Sequence, residues 1–126
     1  MDNQKKILVV DDDHDILESI SLILESQSYM VIAVDSGEEC LAILDREKPD
    51  LIVLDIMMST ITDGINVCFK IRSKPGYRSI PIVMISSIEK QTGFTIEKEY
   101  LRIDAFLEKP FQPSALLETI EKLLLR

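Results

Sequence analysis

Carboxylate side chains follow two short apolar runs of this sequence. Asp11, Asp12 and Asp13 come directly after the first run, and Asp55 follows a later one. Two carboxylates about 4 Å apart repel each other by roughly 4 kcal/mol at an effective dielectric constant of about 20, so a cluster of Asp11, Asp12 and Asp55 needs a cation. Mg²⁺, a small and hard ion that takes oxygen ligands, suits such a cluster best. These residues therefore predict a site for a divalent cation.

A hydroxyl and an ammonium group follow two further apolar runs, at Ser86 and Lys109. In an open parallel sheet, sites form outside the carboxyl ends of the strands, where the winding direction reverses. If the four runs are strands of one such sheet, their ends share an edge. A lone aspartate more often caps the next helix, and we expect Asp13 or Asp15 to do so for the helix that begins near residue 16. Three carboxylates together with Lys109 favour a site instead.

Five short apolar runs, rich in branched residues, are the predicted strands. Each is continuous rather than alternating, which is typical of strands that helices cover on both faces. The runs span residues 7–10, 30–34, 51–54, 80–85 and 105–107.

Helical patterns separate these runs. Apolar residues recur at helical spacing over 16–24 and again after Pro113, a residue favoured in a first turn. Ser36 and Glu39 have the spacing of a capping box ahead of another helix. The remaining helical segments are 64–72 and a short one at 94–102. Strands and helices in strict alternation predict an α/β fold, a doubly wound parallel sheet with right-handed crossovers.

Length and composition bound the class of protein. The chain has 126 residues, of which 46% are hydrophobic and 29% charged, and this indicates one globular domain over 1–126. A net charge of −8 repels phosphate backbones and anionic lipids, so we expect no direct binding to nucleic acid or membrane. The chain has no long apolar run and a polar amino end, which favour a cytoplasmic location. Cys40 and Cys68 lack metal-site spacing and are expected to be reduced and buried.

Four motifs, in order along the chain, resemble those of a response-regulator receiver domain of two-component signalling. They are Ile-Leu-Val-Val-Asp-Asp-Asp at 7–13, Leu-Ile-Val-Leu-Asp-Ile-Met-Met at 51–58, Ile-Pro-Ile-Val-Met-Ile-Ser at 80–86 and Phe-Leu-Glu-Lys-Pro-Phe at 106–111. The resemblance spans nearly the whole chain. It implies a three-layer, flavodoxin-like (βα)5 fold with strand order 2-1-3-4-5. Because the chain ends directly after the last predicted helix, we expect a stand-alone receiver domain.

The resemblance implies a role for each acidic residue. Asp55 would be the phospho-acceptor, which attacks the phosphorus of a partner's phosphohistidine and becomes an acyl phosphate. Mg²⁺, for which Mn²⁺ could substitute, would be bound by Asp55 and Asp12 directly and by Asp11 through water. The backbone carbonyl of Met57 would add a further metal ligand.

The resemblance also assigns the residues around the phosphoryl group. Lys109 would pair with a phosphoryl oxygen, and its peptide bond to Pro110 would be cis. The Ser86 hydroxyl would close on the phosphoryl group, and Phe106 would rotate into the space that this movement vacates. Simple packing of Phe106 in the core is the alternative, since this is the usual role of a Phe at a strand end.

The sequence departs from the family beside the acceptor. Ser59 stands where the family usually has Pro, and Gly64 comes one residue later than usual, which indicates a one-residue insertion in the loop 58–64. The path of that loop stays open. The region 89–102 lacks the usual alanine-rich helix, so it does not identify a partner.

The expected partners are a sensor histidine kinase or phosphotransfer protein and a downstream protein that binds the 87–113 face. We expect a monomer or weak dimer that catalyses only its own phosphorylation and dephosphorylation. One alternative is a Mg²⁺-dependent phosphatase of the haloacid dehalogenase type, because Asp11 and Asp13 give its Asp-x-Asp spacing; its second acidic motif after the lysine is missing. The other alternative is an interaction module on the same fold that is never phosphorylated.

Overall fold

Nine secondary-structure elements are present in the computed structural model, which describes residues 4–56, 63–86 and 102–125. The strands are β1 (Lys6–Val10), β2 (Met30–Val34), β3 (Leu51–Asp55), β4 (Ile82–Ser86) and β5 (Ala105–Glu108). The helices are α1 (His14–Glu25), α2 (Gly37–Glu47), α3 (Asp63–Ser73) and α4 (Pro113–Leu124).

The five strands form one parallel sheet in the order β2-β1-β3-β4-β5, which confirms the predicted α/β topology. The register keeps the carboxyl ends of the central strands level. Val10 lies opposite Leu54, and Asp55 lies opposite Ile85. Asp11, which follows β1, and Ser86, the last residue of β4, therefore lie at the same edge as Asp55, the last residue of β3.

Helices cover both faces of the sheet, because neighbouring side chains of a strand point to opposite faces. On one face, Leu8, Ile52 and Met84 pack against α2 and α3 in one hydrophobic cluster. On the other face, Ile7 and Val53 pack against α1 and α4 in a second cluster. All five of these side chains are fully buried, and burying one such side chain stabilises the fold by about 1.5–3 kcal/mol. The continuous apolar runs thus reflect strands that are buried on both sides.

Two predicted helix caps are present. The Asp13 carboxylate accepts hydrogen bonds from the backbone N–H groups of Asp15 at 2.9 Å and Ile16 at 3.2 Å, and so caps α1. The Ser36 hydroxyl accepts from the N–H of Glu39 at 3.1 Å and caps α2. Both caps lie at the carboxyl edge of the sheet, where each of these helices begins.

The predicted start of β4 needs correction. Strand β4 begins at Ile82 rather than at residue 80. Pro81 has no N–H to donate, although its carbonyl oxygen accepts a hydrogen bond from Ile52 at 3.0 Å. The predicted short helix at 94–102 lies outside the described residues except for Arg102, which has a φ of 59° and is not helical.

Arg72 links several segments at the amino edge of the sheet through hydrogen bonds, a role that was not predicted from the sequence. Its buried guanidinium donates to the carbonyl oxygens of Tyr77, Ile80 and Arg102 and to the Asp104 carboxylate, at 2.6–3.3 Å. Burial lowers the pKa of Arg72, and the charge of Asp104 opposes that shift. The network fixes the segments that lead into β4 and β5, the strands that present Ser86 and Lys109.

None of the helices in the described part of the chain has the length and apolar character needed to cross a membrane. Cys40 and Cys68 are reduced and buried, as predicted, and burial raises the pKa of Cys40 to about 12 and that of Cys68 to about 11.

Candidate functional site

Three carboxylates meet at the carboxyl edge of the sheet. Asp11 directly follows β1 and Asp55 is the last residue of β3, so the strand register places them side by side. One oxygen from each of Asp11, Asp12 and Asp55 lies within 4.8 Å of the others. Asp11 is fully buried and Asp55 is 3% exposed, whereas Asp12 is exposed. The cluster therefore opens to solvent on the side of Asp12.

Lys109 joins the two buried carboxylates. Its Nζ donates to Asp11 Oδ2 at 3.0 Å and to Asp55 Oδ2 at 3.3 Å. Burial by itself would lower the pKa of the Lys109 ammonium, but the charges and hydrogen bonds of Asp55 and Asp11 outweigh it, and the pKa is raised. The lysine is therefore a fixed positive charge within the acidic cluster.

The backbone on either side of Lys109 is also fixed. Its N–H donates to the carbonyl oxygen of Ser86 at 3.1 Å, and its peptide bond to Pro110 is cis. Asp11 is held from two sides, because its Oδ1 accepts from the backbone N–H of Asp13 at 2.9 Å while its Oδ2 accepts from Lys109. Backbone hydrogen bonds at Asp13 and Ser86 therefore help to position Asp11 and Lys109.

Ser86 and Phe106 lie on the neighbouring strands β4 and β5. Ser86 is the last residue of β4 and is 2% exposed. Phe106 pairs with Met84 in the β4–β5 ladder, is half-buried, and packs against the hydrophobic cluster under α2 and α3. The sheet thus brings Ser86 next to the acidic cluster and sets Phe106 two residues before the end of β5.

Gly64 has a structural role that the sequence suggested only through loop length. Its N–H donates to the carbonyl oxygen of Ile56 at 2.6 Å, and a Cβ at this position would overlap the backbone of Asp55 and Ile56. Only glycine allows α3 to begin this close to the end of β3. Met57 and residues 58–62, which include the proposed insertion, lie outside the described residues.

An apolar groove of about 440 Å³ lies beside the acidic cluster. It runs between α1 and the turn after β5, and Ile16, Ile20, Ile23, Pro110 and Phe111 form most of its lining. Lys109 also lines the groove. The site therefore has an acidic part and an apolar part next to each other.

His14, the first residue of α1, was not predicted to take part in any contact. Its Nε2 lies 2.9 Å from Asp35 Oδ2, and this hydrogen bond and the charge of Asp35 raise the pKa of His14. The pair links the start of α1 to the turn after β2, close to the exposed Asp12.

The donor set has the chemistry of a site for a hard divalent cation, since all three converging groups are carboxylates. No buried polar side-chain atom in the described part of the chain lacks a hydrogen-bond partner. A doubly wound parallel sheet with carboxylates and a bridging lysine at its carboxyl edge defines the class: a flavodoxin-like α/β domain with an acidic site at that edge.

The family model for the response regulator receiver domain matches residues 7–121, and the chain belongs to this family. It is 36% identical over 96% of its length to the regulatory protein VanR of Enterococcus faecium. It is 38% identical over 97% of its length to PhoP of Bacillus subtilis, the alkaline phosphatase synthesis transcriptional regulatory protein. The chain spans 50% and 49% of these two relatives, about half of their length.

Solved structures of similar proteins agree with the fold. Chemotaxis response regulator CheY4 of Vibrio cholerae is 27% identical with a TM-score of 0.83, and the match covers 96% of this chain and 99% of that one. A receiver domain protein of Methanospirillum hungatei JF-1 is 28% identical with a TM-score of 0.83, covering 97% and 94%. These matches confirm the predicted family and give no support to the phosphatase alternative.

Proposed function

We propose that this receiver domain is a phospho-acceptor and that Asp55 takes a phosphoryl group from the phosphohistidine of a sensor histidine kinase or a phosphotransfer protein. One observation carries the proposal: the buried Asp55 carboxylate lies 3.3 Å from Lys109 Nζ and shares a cluster with Asp11 and Asp12. A carboxylate beside a fixed cation can act as a nucleophile and can tolerate the charge that a phosphoryl group brings.

The transfer is a displacement at phosphorus. An Asp55 oxygen forms a bond to phosphorus while the bond from phosphorus to the donor's imidazole nitrogen breaks, and the imidazole leaves with that electron pair and takes up a proton. Lys109 has three N–H donors, so it can donate to a phosphoryl oxygen while it keeps its hydrogen bond to Asp11. Ser86, at the end of the next strand, would donate to a second phosphoryl oxygen.

The carboxylates fit Mg²⁺, for which Mn²⁺ could substitute. Asp12 and Asp55 would bind the ion directly, and the backbone carbonyl of Met57, outside the described residues, would be a further ligand. Asp11 would contact it through water, because both Asp11 oxygens already accept hydrogen bonds from Asp13 and Lys109. When bound, the ion offsets negative charge on the transferring phosphoryl group.

The output would be a change in protein contacts. Closure of Ser86 on the phosphoryl group and rotation of Phe106 would alter the 87–113 face, of which residues 87–101 lie outside the described residues. A downstream protein would bind that face. The half-buried position of Phe106 leaves part of its ring at the surface and supports this role.

The domain would act only on itself, adding and losing its own phosphoryl group. The apolar groove beside the acidic cluster supports a protein as the donor, because a small donor needs no such surface. Cytoplasmic location is part of the proposal, since reduced, buried thiols are usual in a reducing compartment.

Incubation with Mg²⁺ and acetyl phosphate, followed by intact mass, tests the proposal. We expect a gain of one phosphoryl group that is lost in Asp55→Asn and strongly slowed in Asp12→Asn. The control is Asp45→Asn, an exposed carboxylate on α2 near the opposite edge of the sheet, and it should load like the parent. A gain that survives Asp55→Asn, or no gain in the parent, would refute the phospho-acceptor function. Repeated turnover of the donor with no stable mass gain would favour a phosphatase.

A further inference from the structure

Hydrogen bonds hold the chain on both sides of Asp12, the exposed carboxylate of the acidic cluster. On one side, the Asp11 N–H donates to the carbonyl oxygen of Val34 at 3.2 Å. On the other side, the Asp13 N–H donates to Asp11 Oδ1 at 2.9 Å, which closes a tight turn around Asp12. The direction in which the Asp12 side chain leaves the backbone is therefore set by its two neighbours.

Asp13 is anchored in turn by helix α1. Its Oδ1 accepts hydrogen bonds from the N–H groups of Asp15 at 2.9 Å and Ile16 at 3.2 Å, and its carbonyl oxygen accepts from the N–H of Leu17 at 3.0 Å. Its φ of −89° and ψ of 109° are the extended values that an N-cap residue adopts. A single residue therefore joins the first turn of α1 to a carboxylate of the site.

The Asp13 N–H is important to Asp11 because the Asp11 carboxylate is fully buried. A buried carboxylate is stable only when its oxygens accept hydrogen bonds, and Asp11 accepts one from Asp13 through Oδ1 and one from Lys109 through Oδ2. If the Asp13 N–H turned away, Oδ1 would lose this donor and Asp11 would change its orientation within the cluster.

We propose that Asp13 is a positioning residue for the divalent cation. By capping α1, Asp13 keeps its N–H directed at Asp11, and it thereby sets the affinity of the three-carboxylate cluster for the ion. Asp13 acts through Asp11 and Asp12 rather than as a ligand. This role rests on the cation site of the proposed phospho-acceptor function and adds a residue outside the cluster that controls it.

Three substitutions at position 13 separate the cap from the charge. Asp13→Asn and Asp13→Ser keep a side-chain oxygen that caps a helix well, whereas Asp13→Ala has none, and all three variants have the same net charge. The matched control is Ser36→Ala, which removes the hydroxyl that caps α2 at the same edge of the sheet. Because α1 and α2 are 12 and 11 residues long, the control measures what the loss of a cap does by itself.

The main measurement is the binding of Mn²⁺, followed through the EPR signal of the free ion and by competition with Mg²⁺. Replacing a residue that orients a metal ligand usually weakens metal binding by about 10- to 100-fold, so we expect Asp13→Ala to bind Mn²⁺ at least about tenfold more weakly than Asp13→Asn. Asp13→Asn and Asp13→Ser should bind within about threefold of the parent near 0.15 M salt, because the lost charge is exposed and screened. Ser36→Ala should bind like the parent, although urea should unfold it about as easily as Asp13→Ala.

Two further readouts test the contact and its effect on the reaction. After correction for intrinsic rates, the backbone N–H of position 13 should exchange with solvent at least about tenfold faster in Asp13→Ala than in the parent, and Asp13→Asn should keep the slow exchange. With acetyl phosphate, Asp13→Ala should need about tenfold more Mg²⁺ for half-maximal loading. At saturating Mg²⁺ its loading rate should lie within about twofold of the parent rate, because Asp13 touches neither Asp55 nor the donor.

Equal Mn²⁺ affinity in Asp13→Ala and Asp13→Asn would overturn the positioning role. A similar loss of affinity in Ser36→Ala would also overturn it, because the effect would then come from helix stability alone. In both cases, loading that still depends on Asp55 leaves the phospho-acceptor function standing. If the variants bind Mn²⁺ in the expected order but the parent takes up no phosphoryl group, the phospho-acceptor function is refuted and the positioning role stands.

Discussion

Lys109→Met removes the cation that bridges two buried carboxylates, and the structure sets the size of the expected loss in stability. Lys109 Nζ lies 3.0 Å from Asp11 Oδ2 and 3.3 Å from Asp55 Oδ2, and both carboxylates are almost fully buried. Oxygens of the cluster lie within 4.8 Å of each other. At that separation, two carboxylates repel by about 3.5 kcal/mol at an effective dielectric constant near 20.

Breaking a buried pair by removing one partner costs about 3–5 kcal/mol, because a charge is left buried and uncompensated. The Lys109 side chain is 22% exposed, so solvent screens part of this effect. We expect the free energy of unfolding of the metal-free Lys109→Met variant to fall by about 3 kcal/mol. Adding Asp55→Asn to that variant removes one repelling charge and should recover about 2 kcal/mol.

Urea denaturation at pH 7, first with EDTA and then with Mg²⁺, measures these changes. Mg²⁺ should restore more stability to Lys109→Met than to the double variant, because the double variant has lost a charged ligand. Lys122→Met is the control, an exposed lysine on α4 whose replacement should change stability by less than about 0.5 kcal/mol. A loss of less than about 1 kcal/mol in Lys109→Met, or a further loss on adding Asp55→Asn, would show that the lysine does not offset carboxylate repulsion.

Three more changes test other parts of the structure. Gly64→Ala should lower the free energy of unfolding by about 1–3 kcal/mol through backbone overlap, and it should slow loading by acetyl phosphate. The control is Gly76→Ala, in open space at a φ of 92°, which should lower the free energy of unfolding by about 1 kcal/mol and leave loading unchanged. Equal losses of stability and equal loading rates in the two variants would contradict the close contact at Gly64. The raised pKa values of Cys40 and Cys68 keep both thiols protonated in the folded state, whereas the thiols of the unfolded chain ionise above about pH 8.5. The free energy of unfolding should therefore fall by about 2 kcal/mol per thiol between pH 8 and pH 10. The double Cys→Ala variant should show a smaller fall by urea denaturation, and an unchanged slope would contradict burial. Arg72→Lys should lower the free energy of unfolding by about 2–4 kcal/mol, because the buried carbonyls lose their donors, and a loss under about 1 kcal/mol would contradict that network.

The sheet could be predicted because parallel strands buried on both faces must be continuous and apolar. The boundary error at β4 shows the limit of that signal. Ile80 is apolar and packs against the core, yet it precedes the strand, because Pro81 cannot donate to a ladder. Hydrophobicity reports burial, whereas a strand boundary is set by backbone hydrogen bonds that the apolar pattern does not encode.

The positions of the charged groups could also be predicted, because the ends of parallel strands share an edge. Asp11, Asp12, Asp55 and Lys109 meet there, although they are separated by up to 98 positions in the chain. Their individual contacts could not be predicted. That Lys109 donates to both buried carboxylates depends on the rotamer of a long side chain, and the backbone overlap at Gly64 depends on the path of a loop. Both are three-dimensional facts without a local sequence signal.

The carboxylates in the first turns of α1 and α2 follow from a local rule combined with the topology. Carboxylates stabilise helix N-termini and cations stabilise C-termini, each by about 0.3–1 kcal/mol. In a doubly wound parallel sheet, every crossover helix begins at the carboxyl edge, so the carboxylates in the first turns of α1 and α2 lie at that edge. Asp15, Glu38 and Glu39 therefore stabilise the N-termini of their own helices. Glu38→Gln with Glu39→Gln should lower the free energy of unfolding by about 0.5–2 kcal/mol, as measured by urea denaturation at low salt. An unchanged or higher free energy of unfolding in this double variant would contradict the stabilisation of the α2 N-terminus by these carboxylates.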